Sequence, residues 1–146
     1  AVIIDCITDN NNRTVANIRS YFNKCNGNLA TSGSVEFLFT RYSTFKIENN
    51  VDRDDLEFEL IDYGLEEIID DNDNNQLIIY ANFDSFGEIQ GELEKRDIII
   101  ISSGFERIPN NYKDLKEDQK RDIDKLLEMC EGDDDVQNVY HNIGNS

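Results

Sequence analysis

The sequence predicts an α+β protein built from two βαββαβ sandwiches, one set inside the other. Three observations carry that expectation. Short β-branched runs alternate with stretches whose apolar residues recur at helical spacing. Residues 1–48 read βαββ, and the αβ that completes this unit arrives only at 117–141. The stretch between, 51–107, reads αββαβ and lacks one strand, which residues 43–48 stand ready to lend. The expected division is therefore 1–48 plus 108–146 as a first domain and 49–107 as a second, inserted one.

Each element has its own warrant. Val2-Ile-Ile-Asp-Cys-Ile7 is a β-branched run and reads as a buried strand. The polar loop Thr8–Thr14 offers several helix N-caps. Val15, Ile18, Phe22 and Cys25 then mark one side of a helix, and Asn26-Gly27 stops it. After a Gly/Ser/Thr/Asn loop over 26–34, residues 35–40 and 44–48 read as a β-hairpin. The segment from Asp52 to Tyr63 is ambiguous. Leu56, Phe58 and Leu60 alternate like a strand, whereas Leu56, Leu60 and Ile61 fit a helix that Asp52 caps and Gly64 ends. Length and caps favour the helix. Strands near 66–70 and 77–81 flank an Asp/Asn turn. Asp84 caps a helix with Phe86, Ile89 and Leu93 inside. Ile98–Ile101 is the most apolar strand, and Pro109 breaks the pattern. Asp114 and Glu117 resemble a capping box. Ile123, Leu126, Leu127 and Cys130 give the inner face of the last helix, and Val136–Tyr140 closes with a strand.

Charge and cysteine usage narrow the function. The net charge is −17 over 146 residues. Residues 1–50 hold five bases against four acids (+1), and residues 51–146 hold nine against 27 (−18). Such a surface repels polyanions, and phosphate contacts dominate nucleic-acid affinity. Any nucleic-acid contact therefore belongs to the near-neutral first third. The plain reading of the acids is solubility. Cys6, Cys25 and Cys130 are an odd count without C-x-x-C spacing, which points to free thiols and a reducing compartment. No run of apolar residues is long enough for a membrane helix. The chain opens on Ala1, as expected of part of a longer protein.

Little in the sequence carries catalysis. His141 is the only histidine, and nothing beside it resembles a nucleophile elbow; a hydrogen-bonding role is the default. Asp71, Asp73 and Asn75 begin like an EF-hand loop, but Gln76 and Asn82 occupy the places of its glycine and its bidentate glutamate. An acidic hairpin tip explains them better. Asp133-Asp134-Asp135 with Glu131 reads as a solvated turn before it reads as a cation site. No phosphate-loop or dinucleotide motif is present, and nothing calls for a metal or cofactor. The loop from Gly27 to Ser34 can offer N–H groups to phosphate, although joining a helix to a hairpin explains it equally. The strongest binding signal is Arg13, Arg19 and Lys24 on one short helix with Asn17, where arginine can pair phosphate and asparagine can read bases.

Two segments are more specific. Thr8-Asp-Asn-x-x-Arg-Thr-Val15, continued by Arg19-x-x-Phe22-x-Lys24-Cys25-x-Gly27-Asn28-Leu29, closely resembles the YebC/PmpR family. So does Asp133-Asp-Asp-Val-Gln-Asn-Val-Tyr-His-Asn142. Gly33-Ser34-Val35, Leu60-Ile61-Asp62-x-Gly64 and Arg107-Ile108-Pro109 fall between them in the family's order. The resemblance spans nearly the whole chain. It implies two interleaved ferredoxin-like domains, preceded in the complete protein by an all-helical domain. It also implies a non-enzymatic regulator of transcription or translation, cytoplasmic or in an organellar matrix. Such a regulator acts on DNA, RNA or the ribosome and needs no cofactor. A mitochondrial translational activator of cytochrome oxidase is similar. The chain departs from the family at Asn26 and Ala30, where glycine is common. The competing expectation is a protein-binding module whose acidic half docks a basic protein.

Overall fold

The computed structural model describes residues 1–144. They form four α-helices and six strands in two antiparallel sheets. The chain divides into two compact units, 1–40 with 108–146, and 41–107.

The first unit contains β1 (Val2–Cys6), α1 (Asn11–Lys24), α4 (Glu117–Glu131) and β6 (Val136–His141). β1 and β6 form a two-stranded antiparallel sheet, with Val2 opposite His141 and Ile4 opposite Val139. Ile18, Phe22 and Cys25 of α1 meet Leu126 and Cys130 of α4 to form its core. The buried stripe of α1 runs through Thr14, Ile18 and Phe22, whereas Val15 is 43% exposed. Ile18, Phe22 and Cys25 are buried as expected, and only the first turn differs: Thr14, whose hydroxyl has polar partners, lies inside in place of Val15.

The second unit holds α2 (Arg53–Leu60), β3 (Leu65–Asp71), β4 (Gln76–Asn82) and α3 (Phe86–Lys95). Its sheet runs β3-β4-β2-β5, where β2 is Phe39–Glu48 and β5 is Ile100–Pro109. Counted within this sheet, the order is that of a complete βαββαβ sandwich. Phe45 and Ile47 of β2 point inward at 0% exposure, against Leu60 of α2 and Ile89 and Leu93 of α3, also at 0%.

Here the structure corrects the expected layout. The hairpin over 35–48 does not form. Residues 36–38 make a 3-10 turn, and 39–48 are one strand that pairs with β4 from Tyr42–Asn82 to Glu48–Gln76. The lent strand thus joins the sheet of the inserted unit, and only β1 and β6 remain together in the other. Period-2 burial at Ser43, Phe45 and Ile47, with Phe39 also buried and only Arg41 out of step, and continuous pairing with β4 from Tyr42 to Glu48 explain the single strand. β5 also differs from the expected Ile98–Ile101: it starts at Ile100, leaves out Ile98 and Ile99, and runs on to Pro109. Ser102, Ser103 and Gly104 have weak strand propensity, but pairing with β2 holds them, and Thr44 Oγ1 donates to the Gly104 carbonyl at 3.3 Å.

The helix ends follow sequence chemistry with two shifts. Asn10 caps α1, accepting from the Arg13 N–H at 3.1 Å, and Asp52 caps α2, accepting from the Asp55 N–H at 3.1 Å. The N-cap of α4 is Lys116, two residues beyond the expected Asp114. There the Gln119 side chain accepts from the Lys116 N–H at 3.1 Å. Residues 113–115 stay extended because Lys113 pairs with the segment after β6, donating to Asn142 O and accepting from Gly144 N. Asp84 lies in a 3-10 turn over Phe83–Ser85, and Ser85, not Asp84, is the N-cap of α3.

Helix α1 ends at Asn26 in the left-handed region (φ 60°), with the Gly27 N–H returning to Phe22 O at 2.8 Å. Asparagine tolerates this conformation better than other residues with a Cβ, so its standing where the family commonly has glycine is no obstacle to the turn. Asn26→Val is expected to destabilise the chain by about 1–2 kcal/mol, while Asn26→Gly stays near wild type. Thermal unfolding by circular dichroism checks both. A valine variant as stable as wild type would contradict the turn geometry.

Candidate nucleic-acid interface

Helix α1 differs from the other three. It carries Arg13, Arg19 and Lys24 and no acidic residue. With Ile18, Phe22 and Cys25 packed inward, its opposite face must look outward at 3.6 residues per turn. That face presents Ala16, Arg19, Ser20, Asn23 and Lys24, which line a shallow, open depression of about 410 Å³. The small side chains of Ala16 and Ser20 form its floor, and Arg19, Asn23 and Lys24 are exposed around it. Among the described residues, no carboxylate lies within ion-pair distance of Arg19 or Lys24. The ordinary structural role of Lys24 is to offset the negative end of the helix dipole.

Arg13 is placed differently. Its Nη2 lies 3.2 Å from Asp9 and 3.1 Å from Asp135, so its charge is already shared between two carboxylates. The hydrogen bond and charge of Asp135 push its pKa further up. Asp135 also accepts from the Thr14 hydroxyl at 2.8 Å, and that hydroxyl lies 2.7 Å from Thr8 Oγ1. Nearby, Tyr21 donates to Asp133 at 2.8 Å, and the Asp135 N–H returns to Asp133 Oδ1 at 2.9 Å. These bonds tie the start of α1 to the turn before β6. Of the three sequence-predicted contacts, the structure gathers Arg19 and Lys24 on one open face and gives Arg13 a positioning role. The sequence reading missed this polar clamp. Its one signal was a threonine at 14, four residues before Ile18 and eight before Phe22, on the stripe that is buried.

The remaining candidates find structural settings. His141 Nδ1 accepts from the Ile143 N–H at 3.2 Å. Cys130 is fully buried, and burial pushes its thiol up to about 11, which makes it a poor nucleophile at neutral pH. Cys6, Cys25 and Cys130 are free, and Cys6 is exposed rather than buried in its strand. Asp71, Asp73 and Asn75 occupy the β3–β4 turn, where Asn74 donates to Asp71 at 2.9 Å and Asn75 has φ 52°. In the loop after α1, the N–H groups of Gly27, Ser34 and Glu36 bond to carbonyls of their own segment, so they are not offered to phosphate. Among the described residues, no helix is long and apolar enough to cross a membrane.

Comparison with known proteins agrees with this architecture. A family model described as the second and third domain of TACO1/YebC matches residues 1–143. Proteins named probable transcriptional regulatory proteins are similar throughout. Those of Flavobacterium johnsoniae and Flavobacterium psychrophilum are 56% and 58% identical, each over 97% of this chain and 59% of their own length. That of Campylobacter concisus is 40% identical over 97% of this chain and 60% of its own. The crystal structure of a conserved hypothetical protein from Aquifex aeolicus superposes with a TM-score of 0.75 at 31% identity, covering 99% of this chain and 59% of that one. The chain thus spans about three fifths of the length of these relatives. With nearly every residue matched by one family model and the same fold in a solved relative, the chain belongs to the TACO1/YebC family.

Proposed function

We propose that this chain is part of a non-enzymatic regulator of gene expression that binds nucleic acid, alone or on the ribosome, through the outward face of α1. The observation that carries this reading is the acid-free basic helix, with Arg19 and Lys24 side by side on an open face, in a chain of net charge −17. In that setting a local cationic surface is a place where phosphate is not repelled. Asn23 and Ser20 add hydrogen-bonding groups between the charges. The regulatory names of the relatives point the same way, and the proposal puts the protein in the cytoplasm, or in an organellar matrix for a eukaryotic relative. Metal ions and cofactors have no part in this reading.

The test is anisotropy titration of labelled DNA and RNA at several salt concentrations, with this chain and with a full-length Flavobacterium relative. The chain by itself should bind weakly. Arg19→Ala with Lys24→Ala should weaken binding further and reduce the salt slope by about 0.9 per lost phosphate contact on duplex DNA. Adding Arg13→Ala should act mainly through the clamp. Lys116, Lys120 and Lys125 stand on α4 among Asp118, Asp122 and Asp124, so their replacement should matter much less. A larger loss from those lysines would relocate the surface.

A specific observation also favours a second reading, docking of a basic protein. Residues 41–107 hold eighteen acids against six bases, a net charge of −12. Binding to intact ribosomes that survives loss of the α1 charges would favour it.

A further inference from the structure

Helix α2 is apolar on both sides. Its inner side is satisfied, with Leu56 and Leu60 at 4% and 0% exposure. Its outer side presents Phe58, 81% exposed, and Ile61, the capping residue three positions on, is 58% exposed. Ile61, expected to fit the inner stripe, points outward instead. Phe58 is the residue that made this segment alternate like a strand. Neither side chain serves the core, and single exposed apolar residues need no explanation. Two large ones stacked at i and i+3 form one surface.

The rim of that surface is uniformly acidic. Asp54 and Asp55 lie four and three residues before Phe58 on the same side of the helix, Asp62 follows in the 3-10 turn after it, and all three are exposed. Among the described residues, none of these three makes an ion pair. The basic residues nearby are already paired with other carboxylates: Arg53 with Asp70 at 3.1 Å, and Arg96 with Glu59 of α2 itself at 2.8 Å. An apolar centre in an unneutralised acidic rim repels nucleic acid and anionic lipid. It complements one kind of partner.

We propose that the outer face of α2, centred on Phe58 and Ile61, docks a basic protein segment with an apolar stripe, such as a lysine-rich amphipathic helix. The apolar stripe covers the aromatic anchor, and flanking lysines or arginines face Asp54, Asp55 and Asp62. This gives the second reading above a location. It is independent of the basic face of α1.

The experiment uses this chain with a synthetic lysine-rich helical peptide bearing a leucine stripe. Two control peptides are a scrambled version of equal charge and a glutamate version. Amide chemical shifts should move around Phe58 and Ile61, and the scrambled peptide should bind about tenfold more weakly. Phe58→Ser and Ile61→Ser should each lower affinity about tenfold, the scale of a lost anchor. Both sites are exposed, so circular dichroism should show an unchanged fold. Asp54→Asn, Asp55→Asn and Asp62→Asn together should flatten the salt dependence. Equal binding of the scrambled peptide, with no effect of Phe58→Ser, overturns the proposal in favour of diffuse charge attraction. A dimer in sedimentation that Phe58→Ser dissolves overturns it in favour of a second copy. Shifts at α2 caused by single-stranded RNA overturn it in favour of nucleic acid. Arg19→Ala with Lys24→Ala, run in parallel, should leave peptide binding unchanged, which separates this outcome from that of the α1 surface.

Discussion

Replacing Gly64 by alanine is expected to be among the most damaging single substitutions in the inserted unit. Gly64 ends the 3-10 turn Ile61–Tyr63 that continues α2, with φ 104°, a conformation that side chains with a Cβ rarely adopt. Its carbonyl accepts from the Asn82 N–H at 2.9 Å, which ties the turn to the end of β4. A Cβ at this position would lie 2.1 Å from Ser85 Oγ and 2.6 Å from Ser85 Cβ. Two costs therefore add. The left-handed backbone contributes about 1–2 kcal/mol, and forcing the atoms apart contributes about 1–3 kcal/mol. Against a whole-domain stability of about 5–15 kcal/mol, that is a large share. The two costs can be separated. Ser85→Gly removes both clashing atoms at an N-cap position that glycine tolerates. Combined with Gly64→Ala it should recover the steric part and leave the backbone part. Urea unfolding followed by circular dichroism for the two single variants and the double variant closes the cycle. Additive losses would show that Ser85 is not what alanine meets.

Gly64 also shows what kind of feature the sequence reveals. A glycine after an amphipathic stretch marks a helix end, and this one does. So does Asn26-Gly27, and so does the Asp52 cap. These are local signals, decided within a few residues. The two-sandwich plan was legible because element order survives errors at element ends. The assignment of β2 was not, because the partner of a strand depends on residues distant in sequence. Burial alternates over residues 43–48 and Phe39 is buried before them, but the exposed Arg41 and the neutral Ser43 hid the continuity. β5 escaped for a similar reason: Ser102, Ser103 and Gly104 form a strand only because β2 lies beside them. At the candidate site, the exposed placement of Arg19 and Lys24 follows from helical spacing. The commitment of Arg13 does not, since its partner Asp135 lies 122 residues away. Phe58 stood out only as a break in a pattern, and only the structure shows it facing water.

The clamp around Thr14 should produce the other large effect, and one that depends on pH. Thr14 is 3% exposed, and its hydroxyl donates to Asp135 at 2.8 Å. Valine keeps the shape and deletes the donor. Losing a hydrogen bond from this buried hydroxyl to a charged acceptor is expected to cost about 1.5–3 kcal/mol. The Asp135 carboxyl is held below the usual carboxylate range, first by the Thr14 hydroxyl and then by Arg13. A carboxylate with a lowered folded-state pKa stabilises fully above its unfolded-state value, near about 4. That stabilisation is lost as pH falls through the lowered value. In Thr14→Val the lowering is smaller, so less remains to lose. The gap between wild type and Thr14→Val should therefore be widest at neutral pH and shrink as the pH drops below about 4. Urea midpoints measured at pH 7, 5 and 3 follow it directly. A gap that stays constant across that range would mean that valine acts through packing alone, with no role for the carboxylate. Asp135→Asn should itself lower the neutral-pH midpoint, and Thr14→Val added to it should show little pH dependence. Because the same bonds hold the start of α1 in place, the basic face of that helix inherits its position from the charge on Asp135. Conditions that protonate Asp135 should loosen the helix start even while Arg19 and Lys24 remain charged.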